Sequence, residues 1–267
     1  SINDVTVSES SDYAVVQVSL SNASSSAISF TPTLSSGTAS VGTDSGSSLE
    51  YFNGSSWLSA SSGVTIAAGS TSVLLRTSIS NDSTYEGSES FSISTGSITG
   101  TVTNTSAPSG TVTIKDDGSS TNVFSSSTNP SSPATGSANN DKPTLSINDV
   151  TVSESSPAVF TVSLSNPTPQ AISFIPTLSS GTATVGTDTA AASSLEVSTN
   201  GSSWLSASSG VTIAPGQTSL QLRIATIDDS LSESSETFFI STGSITGTVT
   251  NSSAAIGTAS ITDNDSA

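Results

Sequence analysis

In Val159-Phe-Thr-Val-Ser-Leu164, apolar residues alternate with hydroxyl-bearing ones, which is the period of two of a β-strand buried on one side. Ala171-Ile-Ser-Phe-Ile175, Leu220-Gln-Leu-Arg-Ile224 and Phe238-Phe-Ile240 show the same alternation or a short apolar run of strand length. Turn-forming pairs such as Pro215-Gly216 separate these stretches, and no stretch has the sustained apolar spacing of a helix. About seven short strands with Gly and Pro turns predict an all-β fold, an immunoglobulin-like Greek-key β-sandwich.

The chain contains two copies of this pattern. Ser1–Ser10 recurs unchanged as Ser146–Ser155, and Ser94–Asn104 recurs as Ser241–Asn251. Between the copies lies a stretch of Ser, Thr, Asn, Pro and Gly whose large apolar residues are Val123-Phe124. We interpret it as a flexible linker, with a long hairpin loop folded back on the first module as the alternative. The predicted domains are a first module at 1–117, a linker at 118–143 and a second module at 144–267.

The charge balance excludes several classes of partner. The chain carries 21 acids against four bases, a net charge of −17, so its surface repels nucleic acid and anionic lipid. No segment approaches the roughly 20 apolar residues of a membrane helix, so we expect no membrane insertion of this fragment. We also expect the fragment to belong to a longer protein. Such an excess of negative charge destabilises a compact fold unless cations neutralise it.

The acids occupy corresponding places in the two copies. A late loop in each copy holds an Asp followed by acids four and seven residues later, and three carboxylates curled onto one point repel one another unless a cation lies there. Further acids end the first strand, occupy a Gly-Thr-Asp turn and follow the last strand. In the first copy these acids are Glu9, Asp44, Asp82, Glu86, Glu89, Asp116 and Asp117. In the second copy they are Glu154, Asp188, Asp229, Glu233, Glu236, Asp263 and Asp265.

These motifs resemble the Calx-beta family over nearly all of both copies. The resemblance rests on Val-Ser-Glu near the start, Gly-Thr-Ala-x-Val-Gly-Thr-Asp in the middle, Asp-x-x-x-Glu-x-x-Glu-x-Phe before a late strand, and the closing Ile-Thr-Asp-Asn-Asp. It implies that the fourteen acids named above are calcium ligands, with the backbone carbonyl of Leu231 (Thr84 in the first copy) as a further donor. Asn81 and Gly118 replace two acids of the pattern in the first copy, which predicts fewer ions or weaker binding there.

The ligand type selects the metal. Oxygen ligands without His or Cys favour Ca²⁺ over Zn²⁺ or Cu²⁺, and seven carboxylates at one tip favour two or more ions per module. The family resemblance also implies a bacterial giant surface protein or adhesin as the parent protein, and therefore an extracellular or cell-surface location.

Catalysis is not expected. The chain has no His and no Ser-x-x-Lys, so its many serines have no base to activate them. A carboxylate pair for glycoside cleavage would have to come from the loops assigned to metal.

We therefore expect a calcium-binding structural repeat of a secreted or cell-surface bacterial protein. Calcium would stabilise and stiffen each module for cell adhesion or a surface-layer role, with calcium ions and neighbouring repeats of the chain as partners. The alternative is an adhesin module that binds a glycan or a surface protein through Trp57 and Trp204. Each tryptophan follows an Asn-Gly turn, and packing beneath the hairpin is the competing interpretation of both.

Overall fold

The computed structural model describes residues 1–125 and 133–265 and divides the chain into two units, Ser1–Asp141 and Lys142–Ala267. Both units are all-β, and the described residues contain no α-helix, only a one-turn 3-10 helix at Ala192–Ser194. None of the described residues forms a helix long and apolar enough to cross a membrane.

The first unit contains thirteen strands, several of them short. They are β1 Val5–Ser8, β2 Tyr13–Ser19, β3 Ile28–Phe30, β4 Thr33–Ser36, β5 Glu50–Phe52, β6 Trp57–Ser59, β7 Val64–Ile66, β8 Ser72–Ser78, β9 Ser88–Ser94, β10 Ile98–Thr99, β11 Ser109–Lys115, β12 Asn122–Val123 and β13 Ala134–Thr135. Two four-stranded sheets, β2-β8-β5-β6 and β1-β11-β9-β4, form the sandwich. A three-stranded sheet, β10-β3-β7, and the β12-β13 ribbon complete the unit.

The second unit repeats this architecture. Its strands are β14 Leu145–Ile147, β15 Val150–Ser153, β16 Ala158–Leu164, β17 Ile172–Phe174, β18 Thr177–Ser180, β19 Glu196–Ser198, β20 Leu205–Ser206, β21 Val211–Ile213, β22 Ser219–Ile224, β23 Glu236–Ser241, β24 Ile245–Thr246 and β25 Ile256–Thr262. The sheets are β14-β16-β22-β19-β20, β15-β25-β23-β18 and β21-β17-β24.

Alternating side chains build the core between the two main sheets. In β16, the residues from Ala158 to Leu164 are alternately buried and half-exposed, and β22 shows the same alternation opposite it. Phe160 and Phe238 come from different sheets and meet edge to face, with ring centroids 6.1 Å apart. The tandem immunoglobulin-like β-sandwich fold is thereby confirmed.

Each unit has more strands than the predicted seven, in part because proline interrupts a longer strand and in part because short additional strands are present. Pro32 separates β3 from β4, and Pro176 separates β17 from β18. Proline has no N–H to donate to a sheet, so pairing within the three-stranded sheet stops there. The strand that follows the proline pairs in a four-stranded sheet instead.

The stretch predicted as a flexible linker packs on the first unit, as in the fold-back alternative. Its described parts are residues 119–125 and 133–141, and we call them the return segment. Phe124 is only 5% exposed within the core of that unit, and its carbonyl accepts hydrogen bonds from the backbone N–H groups of Asp12 and Tyr13 at 2.8 and 3.3 Å. Burial of this aromatic ring and these backbone hydrogen bonds attach the segment to the first unit, although its polar composition is typical of a linker.

Candidate metal centre

Parallel strand pairing delivers two acids to the same tip of each unit. In the first unit β1 and β11 are parallel with Ser8 opposite Lys115, so Glu9 and Asp116 follow the paired ends together. In the second unit β15 and β25 pair in the same way with Ser153 opposite Thr262. Glu154 and Asp263 are the next residues, so they reach the corresponding tip.

Glu9, Asp116 and Asp141 form the first carboxylate group of the first unit. One oxygen from each lies within 4.8 Å of the other two. Glu9 is only 4% exposed and Asp116 only 2%. Backbone N–H groups hold Asp116 from both sides, because Glu86 donates to its Oδ2 at 3.0 Å and Asp141 to its Oδ1 at 3.1 Å.

Asp44, Glu86 and Glu89 form a second group in the same unit, again with oxygens within 4.8 Å of one another. The turn after β4 places Asp44, whose Oδ2 accepts a hydrogen bond from the backbone N–H of Ser40 at 2.5 Å. Glu86 precedes β9, and Glu89 lies within it. Except for Asp141, the acids of both groups line one cavity, so the groups are neighbours.

Glu154, Asp263 and Asp265 form the corresponding first group of the second unit, with oxygens within 4.8 Å of one another. Asp263 is again held from both sides, by the N–H groups of Glu233 at 2.6 Å and Asp265 at 2.7 Å. Glu154 is 8% exposed. Its Oε2 and the buried Oδ2 of Asp265 accept no hydrogen bond from the described residues. Such acceptors are costly to bury unless a further group binds them.

Asp188, Glu233 and Glu236 are the second group of that unit and lie less tightly together. Burial, followed by the charges of Asp188 and Glu233, raises the pKa of Glu236. Asp188 is placed by a turn like that of Asp44, with the N–H of Thr184 donating to its Oδ2 at 2.6 Å.

Burial and the proximity of other carboxylates raise the pKa of several of these acids. Burial, followed by the charge of Asp116, raises the pKa of Glu9 to about 8. Burial and the charges of Glu86 and Asp44 raise the pKa of Glu89 to about 7. In the second unit, burial and the Asp263 charge raise the pKa of Glu154. A cation at the tip would remove the repulsion and favour the ionised carboxylates.

Most of the predicted site residues reach the two tips. Asp82 and Asp229 lie on the exposed loops beside the first groups. The N–H of Asp82 donates to Glu9 at 3.2 Å, and the charge of Asp229 contributes to raising the pKa of Glu154. Leu231 is exposed on the same loop as Asp229, and its N–H donates to Asp229 Oδ1 at 2.7 Å.

Asp117, like Asp82 and Asp229, belongs to none of the carboxylate groups described above. Its carboxylate instead lies 3.8 Å from the ammonium group of Lys115 and accepts hydrogen bonds from Ser119. Although burial opposes them, these contacts lower the pKa of Asp117. The carboxylate of Asp117 thus forms an ion pair with the neighbouring lysine.

The sequence interpretation missed Asp141 and Asp228. Asp141 is the single acid of the stretch 118–143, and this isolation was the available signal. Asp228 directly precedes Asp229 and accepts a hydrogen bond from Asn264 Nδ2 at 3.0 Å. Its charge also contributes to raising the pKa of Glu154.

Both tryptophans are half-buried and lie against arginines. The guanidinium carbon of Arg76 is 4.3 Å from the ring centroid of Trp57, and that of Arg223 is 4.2 Å from the ring of Trp204. Trp57 also packs on Phe52 with centroids 5.3 Å apart. These contacts fit packing beneath a hairpin, with an arginine stacked on each indole ring.

A model of the Calx-beta domain matches residues 2–118 and 181–265. Among solved structures, the apo-form Calx CBD1 domain is 20% identical, covers 46% of this chain and 99% of its own, and has a TM-score of 0.34. CBD12 from CALX1.2 is 13% identical with 97% of each chain covered and a TM-score of 0.37. The calcium binding domain CBD12 of CALX1.1 is 16% identical, covers 94% of this chain and 80% of its own, and has a TM-score of 0.36. No curated protein matches in sequence.

The fold and its acidic tips define a tandem β-sandwich protein with carboxylate-rich loops at one end of each module. Because the family model matches well over half of its residues, the chain belongs to the Calx-beta domain family. Calx-beta domains are calcium-binding regulatory domains rather than catalytic ones, so membership supports a calcium-binding module.

Proposed function

We propose that the chain is a calcium-binding structural repeat of a secreted or cell-surface bacterial protein. Calcium at the tip of each module stabilises and stiffens the sandwich for a role in cell adhesion or a surface layer. The observation that carries the proposal is the meeting of acids from the first strand, the late loop and the last strand at one tip of each unit.

The donor chemistry fits calcium. Ca²⁺ takes six to eight oxygen ligands, and carboxylates, backbone carbonyls and water supply them. In the second module Glu154 Oε2 and Asp265 Oδ2 are buried and receive no hydrogen bond from the described part of the chain, as metal-directed oxygens would be. We assign Glu154, Asp263 and Asp265 to one ion, and Asp188, Glu233 and Glu236 to a second.

The first module offers the same two sets of donors. We assign Asp44, Glu86 and Glu89 to one ion, and Glu9 with Asp116 to another. Asp82 and Asp229 lie beside the two strand-end groups as supplementary donors.

Calcium binding ties three parts of the sandwich together. Without a cation, the buried carboxylates at the ends of β1 and β11 repel each other and the neighbouring loop. A bound ion replaces this repulsion with attraction and stabilises the folded state by mass action. One site at a hundredfold excess of calcium over its dissociation constant contributes about 2.7 kcal/mol.

The melting temperature of each module tests calcium binding. Trp57 and Trp204 report on different modules, so Trp204→Phe isolates the fluorescence of the first and Trp57→Phe that of the second. We expect millimolar CaCl₂ to raise both melting temperatures relative to EDTA, with MgCl₂ of equal ionic strength as the control. Identical melting curves in EDTA and CaCl₂ would refute the proposal.

The cell-surface assignment has its own test. The net charge of −17 suits an exterior rich in divalent cations, and the absence of Cys is compatible with it. Brief protease treatment of intact source cells should release peptides of this chain into the medium. Peptides that appear only after lysis would contradict the surface location, without bearing on whether the chain binds calcium.

A further inference from the structure

We infer that Asp141 is a calcium ligand of the first module, and that calcium there holds the return segment on the sandwich. The inference rests on the proposed calcium function and extends it to a residue outside the matched family segments, which end at 118 in the first module. The repeat provides the comparison, because the strand-end acids of the first tip have counterparts at the second.

The tail of the last strand shows what the first module lacks. Ile114-Lys-Asp-Asp-Gly118 corresponds to Ile261-Thr-Asp-Asn-Asp265, so Gly118 stands where the second module has Asp265. Gly118 also has a φ of +75°, and a Cβ there would lie 3.2 Å from the side chain of Asn140. Glycine at this position lets the return segment come close to the strand end.

Asp141 stands in the place of the missing acid. Asp265 donates its N–H to Asp263 Oδ1 at 2.7 Å, and Asp141 donates its N–H to the equivalent Asp116 Oδ1 at 3.1 Å. Asp265 brings an oxygen within 4.8 Å of Glu154 and Asp263, and Asp141 does the same with Glu9 and Asp116. The two acids therefore match in both backbone and side-chain position, although they lie at different points along the chain.

Asn139 reproduces a second contact of that tail. In the second module Asn264 donates from Nδ2 to Asp228 Oδ1, and in the first module Asn139 donates from Nδ2 to Asn81 Oδ1. The same Nδ2 also donates to Glu9 Oε2 at 3.2 Å. Asn81 corresponds to Asp228 in the repeat, so the return segment meets the same loop position.

Backbone contacts bring the return segment to the tip. Gly118 donates its N–H to the carbonyl of Asn139 at 2.8 Å, and Asp117 forms an antiparallel bridge with Asn140. Ser8 Oγ accepts the N–H of Asn139 at 2.9 Å, next to Glu9. These contacts carry a third carboxylate toward two buried ones, an arrangement that a cation stabilises and that repulsion opposes without one.

Hydrogen exchange on the full chain, followed by mass spectrometry during a calcium titration, tests the inference. Peptides from 119–125 and 133–141 report on the return segment, and peptides from β9 and β23 report on the two modules. In the natural chain we expect calcium to slow exchange in all of them. With Asp141→Asn we expect the first module to need at least tenfold more calcium and the return segment to lose its calcium-dependent protection, while β23 is unchanged.

Glu50→Gln is the matched control, since it removes one carboxylate from the first module but from outside the carboxylate groups, where Glu50 pairs with Arg76 at 2.7 Å. It should titrate like the natural chain. Asp141→Ser is measured in parallel so that the result does not depend on one substitution, and protection of β9 at saturating calcium verifies folding. Unchanged calcium titration of the first module in both Asp141 variants would overturn the inference while the second module still binds. Failure of β23 to respond to calcium in the natural chain would instead count against the proposed function.

Discussion

Glu9 and Asp116 leave the sheet side by side, because the parallel strands β1 and β11 end in register, with Ser8 opposite Lys115. Both carboxyl groups are buried, and the backbone N–H of Glu9 donates to the carbonyl of Lys115 at 2.9 Å. The close approach of two acids is thus built into the pairing of the strands. It sets the calcium-free properties of the module as well as its calcium binding.

The calcium-free first module should lose stability as the pH rises. The pKa of Glu9 is raised from 4.5 to about 8 and that of Glu89 to about 7. The folded state therefore holds these protons more tightly than the unfolded chain, and their stabilising contribution is complete below pH 4.5 and lost toward pH 8. In EDTA, the urea midpoint followed by Trp57 fluorescence in Trp204→Phe should fall across this range. Glu9→Gln should flatten the fall, and a midpoint that rises with pH would contradict the assignment.

Glu154→Gln should weaken calcium binding at the second module. Gln keeps the shape of the side chain but removes the charge and offers one weaker oxygen, so we expect at least a tenfold loss of affinity there. The first module should be unaffected. Calorimetric titration of the full chain measures both, and Glu196→Gln is the control because Glu196 pairs with Arg223 at 2.6 Å outside the carboxylate groups. Equal titrations for the two variants would exclude Glu154 as a ligand.

Phe124→Ala should destabilise the first module by about 3 kcal/mol, because truncation of a buried aromatic ring leaves a cavity. The second module should keep its stability, which separates this effect from a general one. Urea unfolding with the Trp57 reporter provides the measurement. A loss below about 0.5 kcal/mol is what an unattached linker residue would give, and it would contradict the packed return segment.

Arg76→Ala should cost more stability than Arg223→Ala. Arg76 lies against the rings of both Tyr13 and Trp57, at 3.8 and 4.3 Å, and pairs with Glu50 at 2.7 Å. Arg223 meets one ring, that of Trp204. We expect about 2 kcal/mol for the first variant and about 1 kcal/mol for the second, from lost cation–π and packing contacts. The urea midpoint of each module measures the loss of stability in its variant. A larger loss for Arg223→Ala than for Arg76→Ala would contradict a stabilising contribution from the additional Tyr13 ring.

The strands were predictable because alternation records burial directly. Val159–Leu164 forms β16 with its alternating pattern of burial, and exact repetition at Ser146–Ser155 identified the second copy. The regular spacing of the loop acids likewise indicated a site, because the two copies preserve it.

The return segment and Asp141 were not predictable by the same reasoning. A stretch dominated by Ser, Thr, Asn and Pro has no periodicity, and the burial of Phe124 depends on a space that only the folded sandwich creates. The ion pair of Asp117 with Lys115 was not predictable either, because sequence spacing alone does not encode a contact between side chains.

The parallel pairing of β1 with β11, and of β15 with β25, also bears on how each module resists tension. In both pairs four residues of an early strand lie opposite four residues of a late strand. When a module is pulled at both ends, two such parallel strands are forced to slide past each other. The hydrogen bonds between them then bear the force together and do not open one after another. An ion bound by both Glu154 and Asp263, at the end of such a pair, would link the two strands and resist that sliding.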